Sequence, residues 1–302
     1  MSAVVLVDEP DVHVHPDMLA RLGVLIAAIA ERKGIQFIVA THSTAFISGM
    51  AHLADIRVAF MHRYQQELVF KRLNERLEQL VPVFGAHPLS NLFNERPLLL
   101  VEGDDDEWMW QQAVRSSSRR IWINPVSVGG KANMAAYERE ADEILSALYD
   151  NPRAFSLRDG DGIQEPILPS GTVTRLRLAA NEVENFMLSD EVLADHGYVW
   201  SSFRDAVNEC IARMPGHRDV GVLEEIGREG FDRAQGEVKA VRVLVASILG
   251  SNAPVPVLLG KAIAKHCVGK FDLPPATSIK SMIGEAAYRA VTEVGVVPVE
   301  SD

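Results

Sequence analysis

Hydrophobic positions near the start of the chain form two short continuous runs separated by a segment of helical spacing. The run VVLVD at 4–8 is apolar until its final acid, and IQFIVA at 35–40 is a second such run. Continuous apolar runs predict strands buried on both faces of a parallel sheet. Between them, Pro16 begins and Gly34 ends a segment with apolar residues at helical spacing: Leu19, Leu22, Leu25, Ile26 and Ile29. The order predicts a parallel βαβ unit.

Three further apolar runs lie after about residue 95, and each is followed by acidic residues or glycines. They are LLLV at 98–101, IWINPVSV at 121–128 and AFSLR at 154–158. The pattern from about 190 to 250 is mostly helical. We therefore predict two α/β segments, residues 1–90 and 95–302, with a helical insertion at about 190–250 in the second.

Composition limits the class of protein. The chain has 302 residues, a net charge of −11 and only two cysteines, Cys210 and Cys267. Two distant cysteines build neither a disulfide framework nor a zinc cluster, which predicts a cytoplasmic protein. No signal peptide is visible, and no apolar run is long enough to span a membrane. The acidic charge argues against a general nucleic-acid coat protein but is compatible with carboxylates that hold cations.

The ends of the first two strands carry residues suited to nucleotide chemistry. Asp8 can hold Mg²⁺, Glu9 can orient or deprotonate a water, and His42 can contact a γ-phosphate. The alternative is an ordinary strand end and turn. The order DEPDVHVHP…ATHS resembles the C-terminal half of an ABC-type ATPase domain, with its Walker B strand and switch histidine. It is most similar to the ATPase of the OLD (overcoming lysogenization defect) family.

The phosphate-binding loop of such an ATPase, GxxxxGK[ST], is not found in the sequence. The signature helix that should precede the Walker B strand is also missing. We therefore expect this chain alone to lack ATPase activity. ATP is expected to bind only if a partner or an upstream segment supplies the Walker A half.

Carboxylates follow the strands of the second segment. Six of them are candidate metal ligands: Glu102, Asp106, Asp159, Asp161, Glu182 and Glu184. Oxygen ligands without His or Cys suit hard cations such as Mg²⁺ or Mn²⁺. Each motif also has an ordinary interpretation, as a helix N-terminus, a turn rich in Asp and Gly, or a capped helix start.

Taken together, EGDDD, VGGK, DGD and EVENFML resemble in order a Toprim domain of OLD-type nucleases. The resemblance implies a Rossmann-like fold, with Glu102 and Asp159 as catalytic and metal-binding residues. The Gly129-Gly130-Lys131 turn would contact phosphate or the nucleic-acid backbone. Lys261 resembles the late lysine of the family and would stabilise the transition state, with Lys265 and Lys270 as weaker candidates. A solvated helix lysine is the alternative for Lys261.

The resulting hypothesis is a two-metal Mg²⁺ or Mn²⁺ endonuclease that cleaves DNA. The resemblance further implies phage defence and a homodimer. A topoisomerase fits less well because little chain remains for a tyrosine-bearing domain, and a primase would need a zinc module. The competing hypothesis is a non-catalytic or regulatory subunit, which docks through residues 1–90 with a partner carrying the phosphate loop.

Overall fold

The computed structural model describes residues 3–10, 14, 16–41, 43, 46–47, 50, 56–59, 70–73, 96–148, 153–162, 171–214 and 216–292. The chain divides into two compact units. The first contains Met1–Glu95 and Ala147–Asp150, and the second contains Arg96–Ser146 and Asn151–Asp302.

The first unit contains the predicted βαβ segment. Strand β1 (Val4–Asp8) is followed by helix α1 (Pro16–Lys33) and strand β2 (Gln36–Ala40). The two strands are parallel, with Val4 opposite Gln36 and Asp8 opposite Ala40. Gly34 has φ +62° and ends the helix, as glycine after a helix often does. A short antiparallel pair, β3 (Arg57–Val58) and β4 (Lys71–Arg72), follows.

The expectation that β1 and β2 are buried on both faces is wrong for the described residues. Burial alternates along both strands, and the exposed fraction is 76% for Leu6 and 45% for Ile38, which lie opposite each other. The physical reason is the width of the sheet, because within the part of the chain that the structure describes β1 and β2 pair only with each other. One face of this sheet therefore presents apolar side chains to solvent.

The second unit contains a parallel four-stranded sheet. Its strands are β5 (Leu98–Val101), β6 (Asn124–Ser127), β7 (Ala154–Arg158) and β8 (Val173–Arg177), in the order β6-β5-β7-β8. All residues of β5 are buried, as expected for a central strand covered on both faces. The predicted α/β class with parallel sheets is confirmed, whereas β8 had not been predicted.

Helices cover this sheet and form most of the unit's core. They are α2 (Asp104–Ser116), α3 (Met134–Leu148), α4 (Asp190–Asp195), α5 (Trp200–Arg213), α6 (Val220–Gly227), α7 (Arg242–Ile248), α8 (Val255–His266), α9 (Ile279–Ile283) and α10 (Glu285–Thr292). Three short 3₁₀ helices span Lys131–Asn133, Val183–Leu188 and Lys239–Val241. The segment predicted to be helical, 190–250, is helical in the structure.

Helices α2 and α8 pack closely because Gly260 lies at their contact. A Cβ atom on Gly260 would lie 2.5 Å from the carbonyl oxygen of Met109, so this position requires glycine. Trp110, Phe186 and Tyr288 are among the largest fully buried side chains of the unit. Cys210 and Cys267 are free thiols, and no described helix is long and apolar enough to cross a membrane.

Candidate metal and phosphate site

Three predicted carboxylates meet at the carboxyl end of the parallel sheet. Glu102 follows β5, Asp106 lies in the first turn of α2, and Asp159 follows β7. The Gly103 N–H donates to Asp106 Oδ2 at 3.0 Å, which turns this side chain back toward the strand end. The Asp159 N–H donates to Glu102 Oε1 at 3.4 Å. The structure thus brings together side chains that are up to 57 residues apart in sequence.

Glu102, Asp106 and Asp159 line a small cavity whose other walls are mainly apolar. Its volume is about 10 Å³, and Val101, Trp110 and Val183 contribute to the walls. A volume on the order of 10 Å³ accommodates one water molecule. The indole N–H of Trp110 is buried, and none of the residues that the structure describes accepts a hydrogen bond from it. The cavity therefore offers charged oxygen atoms and a space for one small ligand.

Burial and mutual repulsion disfavour the ionised form of these carboxyl groups. Burial, together with the charges of Asp106 and Glu102, raises the pKa of Asp159 to about 8. Burial is also the main cause that raises the pKa of Asp106. Carboxylates placed this close tend to share protons or to require a cation. Ionising several of these carboxyl groups at once is energetically unfavourable without a bound cation. The arrangement is therefore suited to binding positive charge.

Glu184 contributes a fourth carboxylate. It lies in the 3₁₀ helix Val183–Leu188, is only 3% exposed, and has a pKa raised chiefly by burial. Glu184 Oε1 forms an ion pair with Arg242 at 3.4 Å, while the buried Oε2 has no hydrogen-bond partner among the described residues. The charge of Glu184 also raises the pKa of Asp159. An unpaired buried carboxylate oxygen beside Asp159 is a suitable ligand for a cation.

Lys239 and Arg242 are the cations that the structure places at this site, and the sequence did not point to either. The charge of Lys239 lowers the pKa values of Asp106, Asp159 and Glu184. Burial lowers the pKa of Lys239, but these carboxylates outweigh it, so the net shift is upward. Arg242 pairs with Asp105 at 3.2 Å as well as with Glu184.

Glu182 has a structural partner that its motif did not suggest. Its Oε1 accepts hydrogen bonds from the N–H groups of Val238 at 2.8 Å and Lys239 at 2.5 Å. Glu182 also precedes the 3₁₀ helix as its N-terminal capping residue. The predicted metal ligand therefore contacts the turn that carries Lys239.

Asp161 does not project in the same direction as Asp159, although alternate residues of a regular extended chain do so. Its φ of 49° ends the extended backbone, and its side chain pairs with Lys131. Lys131 is exposed, and its pKa is raised first by the hydrogen bond to Asp161 and also by the charge of Glu102. This ion pair lies at the exposed edge of the carboxylate cluster.

The backbone of the Gly129-Gly130 turn has a shape that favours glycine. Both glycines have positive φ values, +69° and +126°. The Gly129 N–H donates to Ser127 Oγ at 3.2 Å, and the Gly130 N–H donates to the carbonyl oxygen of Glu102 at 2.7 Å. Neither N–H group is free in this structure, so the predicted phosphate contact rests on Lys131.

The three late lysines have different surroundings. Lys261 is exposed in the middle of α8, which begins at Val255, so Gly260-Lys261 lies inside the helix and does not open it. Pro254 and Pro256 explain the earlier start, because proline favours the first helical turn. Lys265 pairs with Asp195, and Lys270 borders a separate cavity with Arg120 and Cys267. Lys239 is therefore a candidate cation of the site in addition to Lys261, whose predicted role stays a prediction.

The predicted nucleotide-binding residues belong to the first unit. Asp8 and Glu9 are exposed at the end of β1, and the Glu9 N–H donates to the carbonyl oxygen of Ala40 at 2.9 Å. Glu9 has a φ of 43°, a conformation uncommon outside glycine. His42 lies outside the described residues.

The chemistry of the carboxylate cluster fits a hard divalent cation. Its oxygen donors, the raised pKa values and the unpaired Glu184 Oε2 all favour a bound positive charge. Among the described residues, no group of three His, Cys, Asp or Glu side chains is placed to hold one ion in this conformation. The metal role of Glu102, Asp106, Asp159 and Glu184 remains a prediction.

Comparison with known protein families supports an ATPase-related segment at the start of the chain. Residues 1–48 match the family model described as "AAA domain, putative AbiEii toxin, Type IV TA system". These residues are similar to an AAA domain. The match covers β1, α1 and β2, in agreement with the predicted ATPase-derived segment. The chain matches no curated protein.

Solved structures similar to the chain include C-terminal regions of OLD proteins. The OLD region from Xanthomonas campestris pv. campestris is 15% identical, with a TM-score of 0.32, and the match covers 68% of this chain and 95% of that one. The region from Burkholderia pseudomallei is 13% identical, with a TM-score of 0.30, and the match covers 66% and 96%. OLD proteins are also the family that the sequence motifs resemble.

Proposed function

We propose that the second unit is a metal-dependent endonuclease that hydrolyses DNA phosphodiester bonds. The observation that carries the proposal is the convergence of Glu102, Asp106, Asp159 and Glu184 at one end of a parallel sheet. Function in open parallel sheets collects at the carboxyl ends of the strands. DNA as the substrate and phage defence as the setting come from the motif resemblance to OLD-type Toprim nucleases.

Two Mg²⁺ or Mn²⁺ ions are the proposed cofactors. Asp159 is the central ligand in this proposal, because its pKa responds to Asp106 and Glu102 and also to Glu184. When bound, such ions would polarise phosphate oxygens and favour ionisation of an attacking water. The four carboxylates would hold the ions, and in their absence Asp159 carries a proton at neutral pH.

Two side chains of the unit would contact the substrate. Lys239 remains accessible to solvent beside the carboxylates, so its ammonium group can offset charge that develops on the phosphate during hydrolysis. Lys131 would bind a neighbouring phosphate after it leaves Asp161. The proposal thus assigns acids to the ions and lysines to the nucleic acid.

A plasmid-nicking assay tests this function. The chain would be incubated with supercoiled DNA and single-stranded oligonucleotides in Mg²⁺, Mn²⁺ or EDTA. We expect cleavage that requires the metal and falls at least 100-fold in Asp159→Asn. Asp205→Asn, which alters an exposed residue of α5, is the matched control and should cleave like the wild type. Equal cleavage by wild type and Asp159→Asn would refute the proposal.

The alternative function is a regulatory subunit that docks through the first unit. The exposed apolar face of β1 and β2 favours it, because large uncovered apolar surfaces commonly mark contact sites. The occupant would be a partner or second copy that completes an ATP site. Mn²⁺ binding by a folded chain that never cleaves DNA would support this alternative.

A further inference from the structure

The segment that precedes and forms the 3₁₀ helix Val183–Leu188 makes hydrogen bonds to the turn that carries Lys239. These bonds hold the turn in place. Glu182 Oε1 accepts from two consecutive N–H groups, those of Val238 and Lys239, at 2.8 and 2.5 Å. These residues are 56 and 57 positions away from Glu182 in sequence. The contact is therefore tertiary and joins the segment before the helical insertion to a turn within the insertion.

Asn185 and Asn181 complete this contact. Asn185 Nδ2 donates to the carbonyl oxygens of Arg233 at 2.9 Å and Gly236 at 2.8 Å. Asn185 Oδ1 accepts from the Glu182 N–H at 3.0 Å, and the Asn181 N–H donates to the carbonyl oxygen of Ala234 at 2.7 Å. Asn185 is fully buried, so its amide group is fixed in place.

Side chains close to Glu182 and side chains close to Lys239 meet at the same carboxylate cluster. Glu184 lies two residues after Glu182, and Arg242, three residues after Lys239, pairs with Glu184. A shift of the Lys239 turn would therefore move its ammonium group relative to the proposed metal ligands. Misplacement by about 1 Å can cost on the order of 100-fold in rate.

We propose that Glu182 is a positioning residue, which holds the backbone of Val238 and Lys239 so that the Lys239 side chain reaches the carboxylate cluster, and that it is not a metal ligand. This inference rests on the proposed nuclease function. It separates two acids of the EVEN motif, with Glu184 directed to the cations and Glu182 to the backbone.

Amide exchange and metal binding test the proposal without any measurement of activity. In Glu182→Ala, the amides of Val238 and Lys239 should lose protection from hydrogen exchange, whereas in Glu182→Gln the remaining carbonyl oxygen should preserve it. The number of Mn²⁺ ions bound and their affinity should stay within about twofold of wild type in both variants. Glu237→Ala, at an exposed residue of the same loop, is the control.

Kinetics then separate positioning from general structural support. Glu182→Ala should lower kcat by about 10- to 100-fold with little change in KM, and Glu182→Gln should recover most of the loss. Adding Glu182→Ala to Lys239→Met should cause no further loss, because both changes remove the same interaction.

Two results would overturn the proposal. If Glu182→Gln weakened Mn²⁺ binding as much as Asp159→Asn, Glu182 would be a ligand. If the losses in the double variant multiplied, Glu182 would not act through Lys239. A wild-type chain that failed to cleave DNA would refute the nuclease function, while the exchange and Mn²⁺ measurements would still decide how Glu182 is used.

Discussion

Asp159 is the residue at which burial, repulsion and position in the fold act together. It follows a buried strand, contacts Glu102 through its backbone, and has a pKa of about 8. An aspartate with a raised pKa stabilises the folded state most below its unfolded pKa of about 4. That contribution is lost as the pH rises through the folded pKa near 8.

This behaviour predicts a pH dependence of stability. Without metal, the free energy of unfolding should fall between pH 4 and pH 8 by up to about 1.4 kcal/mol per pH unit through Asp159 alone. Asp159→Asn removes that contribution, so its stability should fall less steeply. Urea denaturation in EDTA at several pH values measures the difference. Parallel profiles for the two proteins would contradict the assigned pKa.

Metal removal provides a second prediction at the same residue. A saturating divalent cation should raise the melting temperature, because a ligand that binds only the folded state stabilises it. With Mn²⁺ at about 100 times its Kd, the gain is about 2.7 kcal/mol. Asp159→Asn should lose most of the rise seen with the wild type in thermal scans with and without EDTA. An equal rise in both would place the ion elsewhere.

Sequence patterns could indicate Glu102, Asp106 and Asp159 because each follows closely on a strand of a predicted parallel sheet. They could not indicate Lys239 or Arg242. Both residues reach the site through tertiary hydrogen bonds after a long helical segment. No local sequence pattern predicts that the chain comes back to the site at these residues. Lys261 resembles the late lysine of the family, but the Gly260 before it serves the close packing of α2 and α8.

At the scale of elements, the backbone hydrogen bonding between β7 and β8 continues beyond the carboxyl ends of both strands. The N–H groups of Gly160 and Asp161 donate to the carbonyl oxygens of Ala180 and Asn181. A Cβ atom on Gly160 would lie 2.1 Å from the carbonyl oxygen of Ala180, so only glycine fits there. This contact fixes the chain immediately after Asp159.

Gly160→Ala should therefore destabilise the second unit by about 1–3 kcal/mol, because the backbone must separate to admit a methyl group. Gly221→Ala is the matched control, since Gly221 lies in α6 with open space around it. Alanine there should stabilise the protein by about 0.5–1 kcal/mol through its better helix propensity. Denaturant midpoints should move in opposite directions, and a shift of the same sign in both would contradict the packing argument.

Whether a segment forms a helix or a strand was easier to predict than what packs against it. Apolar runs and helical spacing indicated β1, α1, β2, β5, β7 and the helical insertion. The sequence did not reveal that β1 and β2 form a two-stranded sheet with one exposed face, because burial depends on what packs against a strand. It also missed β8, whose VTRLR pattern mixes exposed and buried positions as an edge strand does.

At the scale of the whole molecule, the AAA-like segment and the carboxylate site belong to different compact units. The sequence supplies no phosphate-binding loop. ATP or ADP should therefore change the DNA cleavage rate of the purified chain by less than about twofold, since nucleotide binding needs that loop. Nicking rates with and without nucleotide measure this effect. A large stimulation by ATP would show that copies or partners complete the nucleotide site.

The hydrogen bonds from Glu182 to the Lys239 turn also affect the order in which the protein becomes functional. Glu102 and Asp159 are brought together across 57 residues, and the contact of Glu182 with Lys239 closes a second segment of the same length. Its closure entropy changes slowly with length, by about 0.6 kcal/mol per doubling. A change in the length of this second segment should therefore cost little. Because Lys239 follows the carboxylates in the chain, a growing chain can complete the proposed site only after residue 239 has been made.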